Sequence, residues 1–181
     1  MRGLVVYESM FGNTRHVAEA VTESLAEFMD VRSVRVDVAT REDLHNVDLL
    51  VVGAPTHAWG MSRRSTRHGA PGYVRKPGSD LVLEDHADSS PGVREWLDSI
   101  GYVHALGAVF DTRFKAPVML TGRAAHGIVK SLQRHDVEFV TAPMSFLVDR
   151  QNHLIDGELA RATEWGRMVG ERVVARTMVH H

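Results

Sequence analysis

Between the apolar run Leu4-Val5-Val6-Tyr7 and the first amphipathic segment lies Glu8-Ser9-Met10-Phe11-Gly12-Asn13-Thr14. This stretch sets two hydroxyls and a glycine where a strand hands over to a helix. The free N–H groups of a helix N-terminus carry partial positive charge and suit a phosphate. Ser9 and Thr14 add O–H donors, and Gly12 lets the backbone approach a ligand closely. The stretch lacks the Gly-Lys-Ser/Thr ending of the nucleotide P-loop and the three-glycine dinucleotide spacing. The chemistry implied is phosphate binding without a lysine and without magnesium. An ordinary N-cap with no ligand fits the same residues. A second stretch, Ala54-Pro55-Thr56-His57-Ala58-Trp59-Gly60-Met61, follows the most apolar run of the chain, Leu49 to Gly53. A Trp among polar residues offers a stacking surface to a flat ligand. A Trp folded onto a sheet edge is the alternative.

These loops need elements to position them. Val17, Val21, Leu25 and Phe28 recur at helical spacing and predict a helix over 13–29. Val34, Val36 and Val38 alternate with Arg35 and Asp37, which predicts an edge strand. Leu49 to Gly53 reads as a central strand. Thr40 caps a short helix within 41–47. Val93, Trp96, Leu97 and Ile100 mark a helix after Pro91. Leu106 to Phe110 and Val137 to Thr141 read as strands, Ala124 to Leu132 as a helix, and Leu159 to Val173 as the last helix. Strands alternating with helices imply right-handed crossovers and a parallel sheet. The expected fold is α/β, a doubly wound three-layer sandwich around a five-stranded parallel sheet of order 2-1-3-4-5. Ligands of such sheets sit at the carboxyl ends of the strands where the winding reverses, here between the first and third strands. The two loops flank that point.

The connection over 54–90 is far longer than the ~4–6 residues typical of compact domains. Asp80 to Leu83 reads as a short helix or strand within it. From Gly60 to Ser79 there is no acid, but Arg63, Arg64, Arg67, Arg75 and Lys76 are present; Asp80, Glu84, Asp85 and Asp88 follow. The segment is either a solvated loop or a docking surface for an acidic partner.

Composition narrows the function. A chain of 181 residues fits one domain over 1–181. Lys plus Arg is 21 against 23 acids, a net charge of −2, which lacks the basic excess of a nucleic-acid binder. With no cysteine, thiolate catalysis, disulfides, Cys-ligated zinc and iron–sulfur clusters are excluded. No apolar run approaches the ~18 residues of a membrane span, and no secretion signal is read, so a cytoplasmic location is expected. The eleven histidines are scattered and read as solvated or capping groups rather than a metal site. Gly53-Ala54-Pro55 stands where a phosphoacceptor receiver would place its Asp, and no Gly-x-Ser-x-Gly esterase elbow exists.

Tyr7 to Thr14 resembles the flavodoxin phosphate motif, Ser/Thr-x-Thr-Gly-x-Thr. It matches at Ser9, Gly12 and Thr14, with Phe11 in place of the middle threonine. The order of elements resembles that family along the whole chain. The resemblance implies a flavodoxin-like fold with FMN as cofactor. It implies that Ser9, Met10, Phe11, Gly12, Asn13 and Thr14 hold the FMN phosphate. Thr56 and His57 approach the ribityl chain and ring edge, within a loop completed by Pro55 and Ala58. Trp59 stacks on the isoalloxazine, and the peptide at Gly60 flips toward the reduced ring, eased by the positive φ open to glycine. The loop Phe110-Asp111-Thr112-Arg113-Phe114 covers the other side, with either Phe114 or the Arg113 guanidinium on the ring face and Asp111 or nearby backbone at the pyrimidine edge. The implied role is electron transfer, one electron at a time, between a reductase and an acceptor enzyme. The alternative is an FMN-dependent NAD(P)H–quinone or protoporphyrinogen-type oxidoreductase on the same fold; a non-redox module is a third reading. Flavodoxins of this kind are acidic around the flavin. Here Arg63, Arg64 and Arg67 instead imply acidic redox partners and a less negative potential for the last electron.

Overall fold

The computed structural model describes residues 1–57 and 59–179. Its centre is a sheet of parallel strands β1 (Arg2–Tyr7), β2 (Asp30–Arg35), β3 (Leu49–His57), β5 (Ala105–Phe114) and β6 (Val137–Phe139), in the order β2-β1-β3-β5-β6. Two further segments complete it. β4 (Gly60–Met61) folds back antiparallel on the end of β3, and β7 (Met144–Val148) pairs in parallel with the last residues of β5. With β4 off the main path, this is the expected order 2-1-3-4-5.

β1, β3 and β5 are apolar on both faces because helices cover both. On one face, Val5, Leu49, Val51, Ala108 and Phe110 meet α1 (Asn13–Leu25) and α7 (Glu158–Val179). On the other, Leu4, Val6, Leu50, Val52 and Val109 meet α4 (Val93–Leu97) and α6 (Ala124–Leu132). The first of these layers carries a cluster of T-shaped rings, Phe110, Phe146 and Trp165, with centroids 5.9–6.2 Å apart. No helix among the described residues is long and apolar enough to cross a membrane.

Several boundaries move from their sequence-based positions. The second strand lies earlier than the Val34–Val38 alternation suggests. Val36 N–H still donates to Tyr7 O, but Val38 and Ala39 both turn back to Arg35 O, leaving Val38 exposed. Pairing with β1 from Arg2 to Tyr7 fixes the register at Asp30–Arg35, and a turn ends it. α1 stops at Leu25, and Phe28 N–H closes a turn onto Leu25 O. The fifth strand is split: β6 covers the start of β5, and β7, unread in the sequence, covers its end. The 54–90 connection is shorter than it reads, since β3 runs to His57 and β4, α2 (Arg64–His68) and α3 (Pro71–Val74) follow. Asp80 to Leu83 forms neither helix nor strand; it lies against the first loop, where Glu84 N–H donates to Met10 O.

Candidate functional site

β1 delivers the chain to α1 through a loop shaped by its own hydrogen bonds. Gly12 holds a left-handed backbone, φ 89°, and its N–H donates to Ser9 Oγ at 3.1 Å. An L-residue adopts that φ only with strain, so the glycine is required there. Ser9 and Thr14 are buried. Because Ser9 Oγ accepts from Gly12, its own O–H is left to donate. No side chain caps the first turn of α1, so the helix end presents backbone N–H groups to whatever enters. Thr14 Oγ1 lies 2.8 Å from Thr112 Oγ1, tying this loop to β5, and Asn13 Nδ2 donates to Asn152 O at 2.6 Å, tying it to the turn after β7.

Above this helix end lies a cavity of about 290 Å³, at the low end of small-molecule sites. It opens at the carboxyl ends of β1, β3 and β5. Ser9, Met10, Phe11, Asn13 and Thr14 form its floor, and Pro55, Thr56, His57, Thr112 and Arg113 one wall. Gly12 shapes the floor without lining the cavity. The sequence reading missed the opposite wall: Tyr73, Lys76 and Leu81 from the long connection, and Arg150 to Asn152 after β7, while Phe114 stands between. Tyr73 meets Phe11 edge-on at 6.3 Å, and Lys76 Nζ sits 4.5 Å above the Tyr73 ring. The readable signal for the second group was the apolar run Met144–Val148 ending at the polar turn Asp149-Arg150-Gln151-Asn152.

Four assignments change. Phe110 is fully buried in the ring cluster and faces α1 and α7, not the cavity. Asp111 is also fully buried and lies outside the cavity wall; its Oδ2 accepts from Ala125 N–H at 2.9 Å, next to Thr56 Oγ1, which accepts from Ala124 N–H at 3.0 Å. Both side chains thereby satisfy the orphan donors of α6. Phe110 to Phe114 is strand rather than loop, and alternation sends successive residues to opposite layers. Arg67, read as a docking residue, is only 3% exposed. Its guanidinium donates to Ser62 Oγ at 2.9 Å and Glu95 Oε1 at 3.1 Å beneath the long connection. Gly60 does not hold the left-handed backbone; Trp59 does, at φ 70°. Trp59 is 67% exposed and bridges Gly122; neither it nor Gly60 lines the cavity. Ala58 lies outside the described residues. Arg63 and Arg64 are exposed but do not line the cavity; Lys76, Arg113 and Arg150 do.

Burial raises the carboxyls of Glu8 and Asp111 above their ordinary range, and each binds a backbone N–H, Val93 in the case of Glu8. His57 behaves oppositely. Burial, helped by the Arg67 charge, pushes it down from 6.5 to about 4. On acidification the unfolded chain takes this proton first. The stability from the neutral buried imidazole is therefore complete above about pH 6.5 and lost as pH falls toward about 4. Urea unfolding of the wild type and His57→Leu across that window should show the wild type losing up to about 3 kcal/mol more than the variant. Glu8 and Asp111 contribute with the opposite sign in both proteins, so they cancel in the comparison. Parallel profiles would mean that His57 is solvated.

Comparisons with known proteins agree with this architecture. A flavodoxin-domain family model matches residues 4–67, which include β1, the phosphate-loop stretch, α1 and β3. A flavodoxin of Aquifex aeolicus is 42% identical over 66 residues, 33% of this chain and 36% of that protein, so the match spans about a third of the relative. The structure of a flavodoxin from the domain Archaea superposes with a TM-score of 0.65 at 19% identity, covering 96% of this chain and 99% of that one. Oxidised Flavodoxin 1 from Bacillus cereus gives 0.63 at 18% identity, over 97% and 98%. The chain thus resembles flavodoxins in sequence over residues 4–67 and has the flavodoxin fold along nearly all of its length.

Proposed function

We propose that this chain binds FMN and carries electrons, one at a time, between a reductase and an acceptor enzyme. The observation that carries the reading is the uncapped N-terminus of α1 opening into the cavity beside Ser9 and Thr14. This is a phosphate cradle at the floor of a site with aromatic walls. FMN, when bound there, supplies the redox chemistry. The N–H groups of the α1 N-terminus and the hydroxyls of Ser9 and Thr14 take the phosphate. Pro55, Thr56 and His57 line the path of the ribityl chain. Phe114 of the wall would cover one face of the ring, and the exposed Trp59 would have to turn in from beside Gly122 to cover the other.

A carrier rather than an acid–base enzyme is favoured by the titratable groups at the cavity. Glu8 and Asp111 are bound to backbone N–H groups and do not line it, while His57 does but is held neutral. Among the described residues lining the cavity, the carboxylate is Asp80, which pairs with His153 at 3.2 Å, while His57 Nε2 has no hydrogen-bond partner, so no acid–base pair is assembled to move a substrate proton. Anaerobic stepwise reduction of the FMN-loaded protein, followed by visible spectroscopy, tests this. A one-electron-reduced flavin is expected to accumulate. Direct passage to the fully reduced flavin would favour a two-electron oxidoreductase, and failure to take up FMN would leave a non-redox module.

A further inference from the structure

The rim of the cavity carries an exposed apolar patch that flavin binding does not account for. Met119 and Leu120, on the single turn α5 (Val118–Thr121), are 91% and 68% exposed. The patch is continuous with the site. Trp59 bridges Gly122 at the end of α5, and Arg113 Nη1 donates to Ala116 O at 2.9 Å, holding the chain after Phe114 against it. Contiguous exposed apolar surface beside a ligand cavity marks a contact surface. Exposed Trp, Met and Phe beside Arg is the composition of a protein–protein interface centre.

The charge around the patch selects the partner. Residues 57–79 and 112–135, the stretches that carry Trp59, Phe114, Met119 and Leu120, contain no Asp or Glu. They place Arg63, Arg64 and Lys115 on the surface. The acids nearest the site stand on its other side: Asp80 lines the cavity with Lys76 and Leu81, and Asp149 lies beside Arg150 after β7. A basic partner, or a second copy of this chain in face-to-face contact, would bring like charges together around the patch, and that costs affinity. We infer that the Met119–Leu120 patch, together with the exposed Arg63, Arg64 and Lys115, docks a redox protein of acidic surface beside the cavity mouth. The inference rests on the electron-transfer reading.

The test titrates the protein calorimetrically, both FMN-loaded and unloaded, with an acidic plant-type two-iron ferredoxin and with basic cytochrome c as probes. Ferredoxin should bind and cytochrome c should not. Ferredoxin affinity should fall about tenfold between about 20 mM and about 300 mM NaCl, as attraction between surface charges is screened. Arg63→Glu/Arg64→Glu should weaken it about tenfold at low salt and flatten the salt dependence. Met119→Ser/Leu120→Ser should weaken it about tenfold while leaving the salt slope intact. FMN affinity should be unchanged in both variants. Tighter binding of cytochrome c, or no ferredoxin binding at low salt, overturns the inference. Self-association abolished by the Met119/Leu120 substitutions overturns it in favour of a dimer. Binding to phosphatidylglycerol vesicles without ferredoxin binding overturns it in favour of a lipid surface. Ferredoxin binding by a protein that takes up no FMN would support the docking surface and sink the carrier reading, so the two fail separately.

Discussion

Riboflavin, which lacks the phosphate, is expected to bind at least about a thousandfold more weakly than FMN. Each hydrogen bond from an N–H or O–H to a charged oxygen contributes about 1.5–3 kcal/mol, and three such bonds exceed the ~4 kcal/mol that a thousandfold requires. The donors are the first-turn N–H groups of α1 with Ser9 and Thr14, buried at the cavity floor. Ser9→Ala/Thr14→Val should therefore weaken FMN binding and leave riboflavin binding nearly unchanged. The substitution also leaves the Thr112 hydroxyl without its partner 2.8 Å away, so it should cost about 1–3 kcal/mol of stability. Trp59→Ala supplies the contrast. Loss of one stacking face should weaken FMN and riboflavin alike, by about 1–3 kcal/mol on the scale of aromatic–base stacking. Fluorescence titration of the two flavins against the three proteins separates these terms. Equal affinities for riboflavin and FMN in the wild type would end the phosphate reading. An unchanged Trp59→Ala protein would assign the ring to Phe114 and Tyr73, which line the cavity.

Gly53→Ala should be among the most destabilising single-methyl additions available to this chain. Gly53 lies in β3, paired with Tyr7 on one side and Phe110 on the other, and its carbonyl accepts from Glu8 N–H at the start of the phosphate loop. A Cβ built there would stand well inside contact distance of the Phe110 ring. That ring cannot retreat, because Phe146 and Trp165 pack edge-on against it and all three are buried. Overpacking a well-filled core costs about 1–3 kcal/mol and more where neighbours cannot yield, so about 3 kcal/mol is expected, with loosening of the adjoining loop. Adding Phe110→Leu should recover part of the loss, since the two changes share one space and are not additive. Denaturant unfolding of the single and double variants checks this. A Gly53→Ala protein as stable as wild type would mean that the three-ring cluster is not rigid.

Much of this architecture was written locally. The continuous apolar run Leu49–Val52 and the period-3.6 patterns of Val17–Leu25 and Ala124–Leu132 are set by burial on both faces or on one, and each segment forms the element it predicts. The strand–helix alternation then leaves little choice of topology, because right-handed crossovers place the end of β1 beside the end of β3. The loop at the cavity floor was legible for the same reason: Ser9, Gly12 and Thr14 lie within six residues of one another. What lay beyond the sequence depends on contacts between distant segments. Whether Arg67 faces solvent is decided by Ser62 and Glu95, and Asp111 faces α6 because β5 runs on as strand past Phe110 instead of turning into a loop. Tyr73, Lys76 and Arg150 carry no local signature of a binding wall. They line one cavity only because the long connection folds back onto the first loop, through Arg15–Glu84 and Glu84 N–H to Met10 O, and because β7 extends the sheet beside β5. Local patterning thus fixed which faces are buried, while the tertiary structure decided which polar groups meet across them.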